Sequence, residues 1–319
     1  MVRTLLAMLL MCGQVDDAPE PMGKIQGVVV NGSRGYEPLE GIAVVLRAGS
    51  ESMLIPVARA RTDVYGRFVF DDVPIEPGIV LLPGADRGGV HYPGERVRLD
   101  WDRRFVHARI VAFDAVDAPS PLIARRHDID VTVRQQFMEI SETLLIANPT
   151  SATYVGQPVE EASPVTLRLS VPPDFDRITF DNEFYGRRFR IADRRPFTDI
   201  PWPPGERELK FVYRIPIEKS GGMFRRCLDV PTRNLTLRVH GKKAGDVSSN
   251  LTPVDGEPPN VAFASTDAGL PSGHTIELQV GTLPFPWLQY TRWGSLVALV
   301  ALTVATAVVL RRGSSHEPQ

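Results

Sequence analysis

Ala60-Arg61-Thr62-Asp63-Val64-Tyr65-Gly66-Arg67-Phe68-Val69-Phe70 is the stretch whose reading decides the fold. Asp63 suits position i of a type I turn and Gly66 suits position i+3. Beyond the turn, Phe68 and Phe70 alternate with Arg67, Val69 and Asp71. A period of two with one aromatic set marks a strand that buries one face and wets the other. Pro74 and Pro77-Gly78 then stop the strand, because proline cannot donate to a ladder.

The same period recurs outward from this hairpin. Ile42, Val44 and Leu46 share a face upstream; Val97, Leu99 and Trp101, then Val106, Ala108 and Ile110, do so downstream. Asp114 to Pro121 breaks the pattern and reads as a linker. Strands resume with Ile129, Val131 and Val133, with Leu144 and Ile146, and with Leu167, Leu169 and Val171; Leu209, Phe211, Tyr213 and Ile215 make the clearest strand of that block. A second boundary falls at Glu218-Lys219-Ser220-Gly221-Gly222, before Leu235-Leu237-Val239 and Ile276-Leu278-Val280. The expected fold is all-β: two or three β-sandwich domains followed by a single C-terminal transmembrane helix. The segments are a signal peptide and spacer (1–22), a first sandwich (23–114), a second sandwich (122–217), a third β-rich region (218–286), the helix (293–310) and a cytoplasmic tail (311–319).

Residues 24–113 resemble the carboxypeptidase regulatory-like domain, a transthyretin-like sandwich. The resemblance is carried by Gly27, by Pro38 with Gly41, by the Thr62-Asp63…Gly66…Phe68…Phe70 run and by the Pro74 that follows; Pro77-Gly78-Ile79-Val80 meets the family's Pro-Gly-x-Tyr ending only in part. It implies a sandwich of about seven strands and no catalysis, since that family's enzymes keep their chemistry in a separate zinc-peptidase domain. The segments from Phe137 to Pro284 resemble, with less specificity, the ectodomains of bacterial membrane proteins that carry such a module.

Gly294 to Leu310 contains no ionisable side chain; Trp287, Tyr290 and Trp293 precede it and Arg311-Arg312 follow at once. At about 1.5 Å per residue the run reaches roughly 26 Å, close to the hydrocarbon thickness of a bilayer. A soluble helix would carry a polar stripe, and this one offers only Ser295, Thr303 and Thr306. Aromatic residues favour the interface and the Arg pair favours the inside, so the expected placement is a single-pass protein of the cell membrane. Its ectodomain stands outside the cytoplasm and its short tail inside. Arg3 with Thr4 to Met11 suits a signal peptide; Cys12 reads as an ordinary residue of that segment, with lipidation as the alternative. Cys227 would then be a lone thiol with no intrachain disulfide open to it.

The net charge of −2 argues against a nucleic-acid surface. No serine elbow, phosphate loop or nucleotide fingerprint is found, and none of the six His has zinc-ligand spacing. His107 and His240 fall on outward strand faces, His91 falls in a loop, and His274 and Glu277 point to opposite faces of a strand. Asp181-Asn182-Glu183 reads as a solvated turn, with calcium as its alternative. No catalytic residue, cofactor site or metal site is assigned. The candidate contact surface is Tyr185, Arg187, Arg188, Arg190 and Trp202, because Arg and aromatics concentrate at hot spots; the competing reading turns those rings inward. Asn31-Gly32-Ser33, Asn234-Leu235-Thr236 and Asn250-Leu251-Thr252 match glycosylation sequons. The expected function is a non-catalytic, membrane-anchored, extracytoplasmic interaction or scaffold protein with a protein partner. The alternative is a carbohydrate-binding surface protein, for which Trp101, Tyr92 and Trp202 are the candidate sugar-stacking rings.

Overall fold

The computed structural model describes residues 22–134, 136–159, 162–181, 189–217, 222–240, 246–255, 260–266 and 268–281. Among these the protein is all-β, with no α-helix. The apolar run 294–310 lies outside the described residues, and no helix among the described residues is long and apolar enough to cross a membrane. The chain divides into two compact units: the described residues of Met1–Pro121, Pro149–Pro164 and Pro201–Pro204 form the first, and those of Leu122–Asn148, Val165–Ile200 and Gly205–Gln319 the second.

The first unit opens with β1 (Met22–Asn31), β2 (Glu37–Pro38), β3 (Ala43–Gly49), β4 (Leu54–Arg61), β5 (Arg67–Pro74), β6 (Val80–Arg87), β7 (Val90–Pro93), β8 (Phe105–Ala112) and β9 (Ala115–Val116). Two four-stranded sheets result. In one, β1 pairs with β2 and β5 on one side and runs parallel to β8 on the other; the second has the order β4-β3-β6-β7. Ile25, Phe68, Phe70 and Ile110 from the first sheet and Val44, Leu46, Ala85 and Tyr92 from the second belong to one buried cluster. This is the sandwich that the alternation predicts. The parallel β1–β8 ladder is beyond what the sequence reading specified.

The Thr62-to-Phe70 motif acquires a physical meaning here. Asp63 Oδ1 accepts from the backbone N–H of Tyr65 and Arg67, and Gly66 N–H closes the turn onto Asp63 O at 2.9 Å. Gly66 has φ +72°, and a Cβ there would meet Val29 O at 2.6 Å, so the position excludes other residues on two counts. Buried Thr62 donates to Leu39 O and accepts from Ile42 N–H, tying the chain before β3 to the end of β4. Gly27 lies under Phe68, whose ring occupies the place of a Cβ.

Two readings change in this unit. Residues 97–101 are not a strand: Val97 makes an isolated bridge to Leu81, Leu99 is buried, and Trp101 stands exposed. Alternation there records a loop that dips two side chains, Val97 and Leu99, into the core. The segment from Asp114 is also more than a linker. Its carboxylate receives Arg34, Arg87 and Asn31, and β9 runs parallel to β12 (Thr153–Tyr154). Burial opposes ionisation of Asp114, but the hydrogen bonds from Arg34 and Asn31 and the charge of Arg87 hold its carboxyl below the usual range. A small ribbon follows, formed by β13 (Gln157–Val159) and β14 (Ala162–Val165).

The second unit is built on β10 (Ile123–Val133), β11 (Phe137–Asn148), β15 (Leu167–Arg168), β16 (Arg177–Phe180), β17 (Arg190–Ala192), β18 (Arg195–Thr198), β19 (Gly205–Pro216), β20 (Gly222–Cys227), β21 (Thr232–His240), β22 (Val247–Ser249), β23 (Thr252–Val254), β24 (Val261–Ala264) and β25 (Thr275–Val280). A seven-stranded sheet runs β16-β19-β11-β10-β21-β24-β23, with three-stranded sheets β15-β18-β17 and β20-β25-β22 beside it. Because β10 pairs in parallel with β21, the segments expected as a second and a third region contribute strands to one sheet. The inward rows are apolar: Ile129 and Val131; Met138, Ile140, Leu144 and Ile146; Leu209, Phe211 and Ile215; Leu235, Leu237 and Val239.

Candidate functional site

Three strands of the seven-stranded sheet each place a polar residue in an otherwise apolar inward row: His127 on β10, Glu142 on β11 and Tyr213 on β19. Their meeting follows from register. Glu142 pairs with Ile129 and with Phe211, so His127 and Tyr213 sit on its diagonals, one on each neighbouring strand, within reach of long side chains. Arg226 enters from β20, in the three-stranded sheet, where alternation puts it inward with Phe224.

The contacts close completely around the carboxylate. Tyr213 Oη donates to Glu142 Oε1 at 2.5 Å, His127 Nε2 lies 2.8 Å from Oε2, and Arg226 Nε faces the two oxygens at 2.9 and 3.1 Å. Arg226 also reaches Asp229 Oδ2 with Nη2 at 2.8 Å and Cys227 O with Nη1, while Asp229 Oδ1 accepts from Ser170 N–H. Glu142 and Arg226 are 0 % exposed. Burial alone would raise the Glu142 carboxyl, but the Arg226 charge, His127 and the Tyr213 hydroxyl outweigh it and hold the group at about 2. Burial and the adjacent Glu142 push Tyr213 well above its ordinary value. Arg226 is kept charged against burial by Glu142 and Asp229.

Three donors meet the Glu142 carboxylate, the single Arg226 Nε–H being shared between its two oxygens. The network is an ionic tie between two sheets in which both oxygens of a fully buried Glu142 are bonded. Among the described residues, His127 Nδ1 is buried without a hydrogen-bond partner. The sequence carried a signal for this cluster that the reading passed over. Met138, Ile140, Glu142, Leu144 and Ile146 form one period-two row, and a carboxylate in its middle demands a buried counter-charge.

Of the five residues singled out in sequence, Arg190 and Trp202 are described, and they differ in exposure. Tyr185, Arg187 and Arg188 lie outside the described residues. Arg190 is exposed on β17, paired with Asp199 at 2.7 Å and stacked over Phe197. Trp202 is 1 % exposed, and its backbone bridges to Tyr154. Trp202 is thus corrected from surface to core, and so is Tyr92, whose hydroxyl meets Thr153 Oγ1; both pack apolar ring area that water would penalise. Of the three rings considered for sugar stacking, Trp101 alone is exposed. His91 lies on β7 and not in a loop, between Asp86 and Arg47. Buried Asn31 is bonded to Asp114, and Asn234 and Asn250 spend their amides on backbone carbonyls. Among the described residues, no three His, Cys, Asp or Glu side chains converge to hold a metal.

The outward face of the β1–β5–β8 sheet is different in kind. Val28 of β1 pairs with Arg67 on β5 and Arg109 on β8; Gln26 pairs with Val69 and His107; Lys24 pairs with Phe105. Arg67 lies 5.2 Å from the Tyr65 ring and Arg109 4.8 Å from that of Tyr36. Neither guanidinium has a carboxylate partner among the described residues, and Asp71 of the same face is taken by Lys24 at 2.8 Å. Gln26 Nε2 approaches the His107 ring at 3.2 Å, and Phe105 packs edge-on against it.

No family model matches the chain, and no curated protein matches it. Two solved structures with partial likeness are a native yeast LTA4 hydrolase (TM-score 0.32) and the native leukotriene A4 hydrolase of Saccharomyces cerevisiae (TM-score 0.33), each 11 % identical. Each alignment covers 50 % of this chain and 29 % of the hydrolase, so the chain spans less than a third of the proteins it is compared with.

Proposed function

We propose that this chain is a non-catalytic interaction protein. A single C-terminal helix over 293–310 anchors it in the cell membrane, with two or three β-sandwich domains outside the cytoplasm and the tail 311–319 inside. The observation that carries the interaction role is the outward face of the first unit, where Tyr36 and Tyr65 are exposed beside Arg109 and Arg67 and Phe105 is exposed farther along β8. Aromatic residues and Arg are the side chains most enriched in contact surfaces. The buried ionisable cluster supports the non-catalytic reading, since Glu142 and Arg226 are spent on one another. The anchor rests on the uncharged run Gly294–Leu310 and its Trp and Arg flanks.

Truncation before Arg292 tests the anchor. The expected product is soluble and folded; a fragment that still sediments with washed membranes overturns this anchor. Cross-linking from gently solubilised membranes tests the role, and failure to recover any specific protein partner counts against it. The second reading, a carbohydrate-binding surface protein, is favoured by one specific observation: Trp101 is 60 % exposed, with Arg104 5.7 Å from its ring.

A further inference from the structure

We propose that the outward face of the β1–β5–β8 sheet binds an acidic polysaccharide, with Arg67 and Arg109 as the two anion receptors. The proposal rests on the carbohydrate-binding reading and narrows it to one site and one class of glycan. Its geometry comes from the ladder. Arg67 and Arg109 both pair with Val28 from opposite sides, which puts their Cα atoms about 10 Å apart. Along β8 the face runs from Phe105 to Arg109, about 13 Å. Exposed rings stand at both ends, Tyr36 and Tyr65 beside the guanidinium groups and Phe105 at the far end.

The chemistry selects the occupant. Two guanidinium groups without carboxylate partners among the described residues present planar forks that fit a carboxylate or a sulfate, and each lies over a tyrosine ring. In the middle, Gln26 approaches the His107 ring beside Val28 and Val69. A chain of acidic sugar rings matches this arrangement: hydrogen-bonding groups in the middle, ring faces at the ends to cover C–H surfaces, and cations where its acid groups project.

The test uses the full chain in phosphatidylcholine nanodiscs. The probes are polygalacturonate, heparin, neutral dextran and poly-L-glutamate. The expected result is binding of the two acidic glycans that weakens as salt rises and falls at least about tenfold, a free-energy loss of about 1.4 kcal/mol, in Arg67→Gln/Arg109→Gln. Arg59→Gln/Arg61→Gln, on the other sheet, should bind as the parent does. Thermal melts establish that the variants fold, which is expected because Arg67 and Arg109 are exposed. Dextran binding unchanged by Arg67→Gln/Arg109→Gln, without preference for acidic glycans, overturns this proposal and leaves the carbohydrate reading standing. No binding to any glycan overturns both. Poly-L-glutamate bound as tightly as the glycans overturns the polysaccharide assignment in favour of an acidic protein partner. Acidic-glycan binding equally reduced by Arg59→Gln/Arg61→Gln removes the site.

Discussion

Arg226→Met should cost the second unit about 3–5 kcal/mol, the loss found when one member of a buried ion pair is removed and the other is left behind. The side chain is nearly volume-conserving, so the loss is electrostatic. Glu142 surrenders a donor at 2.9 Å in a fully buried setting, and Asp229 surrenders one at 2.8 Å. Such a loss is a large share of the roughly 5–15 kcal/mol that holds a domain folded. It should also depend on pH in an inverted way. In the parent protein Glu142 sits at about 2 against an ordinary 4.5. A depressed carboxyl contributes stability that is present above the unfolded value and lost as pH falls through the folded one. Here that is on the order of 3 kcal/mol, lost between about pH 4.5 and 2. Without Arg226, burial prevails and raises Glu142, so the folded variant prefers the neutral acid. Its deficit should therefore narrow between pH 7 and pH 4. Cys227, on β20 beside Arg226, is the local probe: in a Cys12→Ser background it is the single thiol, and its labelling along a denaturant series reports opening of the second unit. A midpoint change worth less than about 1 kcal/mol at pH 7, or a deficit that widens at pH 4, would refute the reasoning.

In the first unit, denaturation can be followed through buried Trp202. Gly66→Val should lose about 1–3 kcal/mol or more, from a left-handed backbone position and a Cβ 2.6 Å from Val29 O; an unchanged denaturation midpoint removes the turn argument. Phe68→Ala should cost about 3–5 kcal/mol and Arg67→Ala about 0.5 or less, and equal losses would mean the inward and outward faces are misassigned. Thr62→Val keeps shape but strips the hydroxyl that serves Leu39 O and Ile42 N–H, so a loss of about 1–3 kcal/mol is expected, and a neutral result would show that those backbone groups find other partners.

How much of this was legible depends on the range of the interaction concerned. Phe68, Phe70, Ile110 and Tyr213 bury as alternation requires, because period two is a local property of a strand with one wet face. The Asp63–Gly66 turn was legible for the same reason: its bonds close within a few residues. Strand partners were not. Nothing within 22–31 announces a parallel neighbour at 105–112, nor does 123–133 announce one at 232–240; parallel pairing is decided by long-range packing. Trp202 was read by residue type, as an aromatic among arginines; the competing reading, with the ring turned inward, is the one its burial supports. Trp101 failed in the opposite direction: its alternation with Val97 and Leu99 held for two side chains and lapsed once the chain left Leu81.

Glu142 and Arg67 illustrate how a charged group's surroundings decide its role. Both are charged residues on strands that alternate regularly, and only the face differs. Glu142 faces inward, where an unpaired carboxylate is costly, and the fold answers with Arg226, His127 and Tyr213, which bond both of its oxygens. These groups are committed to one another in a fully buried setting. Arg67 faces outward, where water satisfies it and no internal partner is required; its donors are exchangeable, so an anion can replace water at modest cost. A search for function guided by ionisable residues in the core would therefore settle on the inner cluster, where the groups are committed to one another. Among the described residues, Arg67 and Arg109 on the wet sheet face have no carboxylate partner.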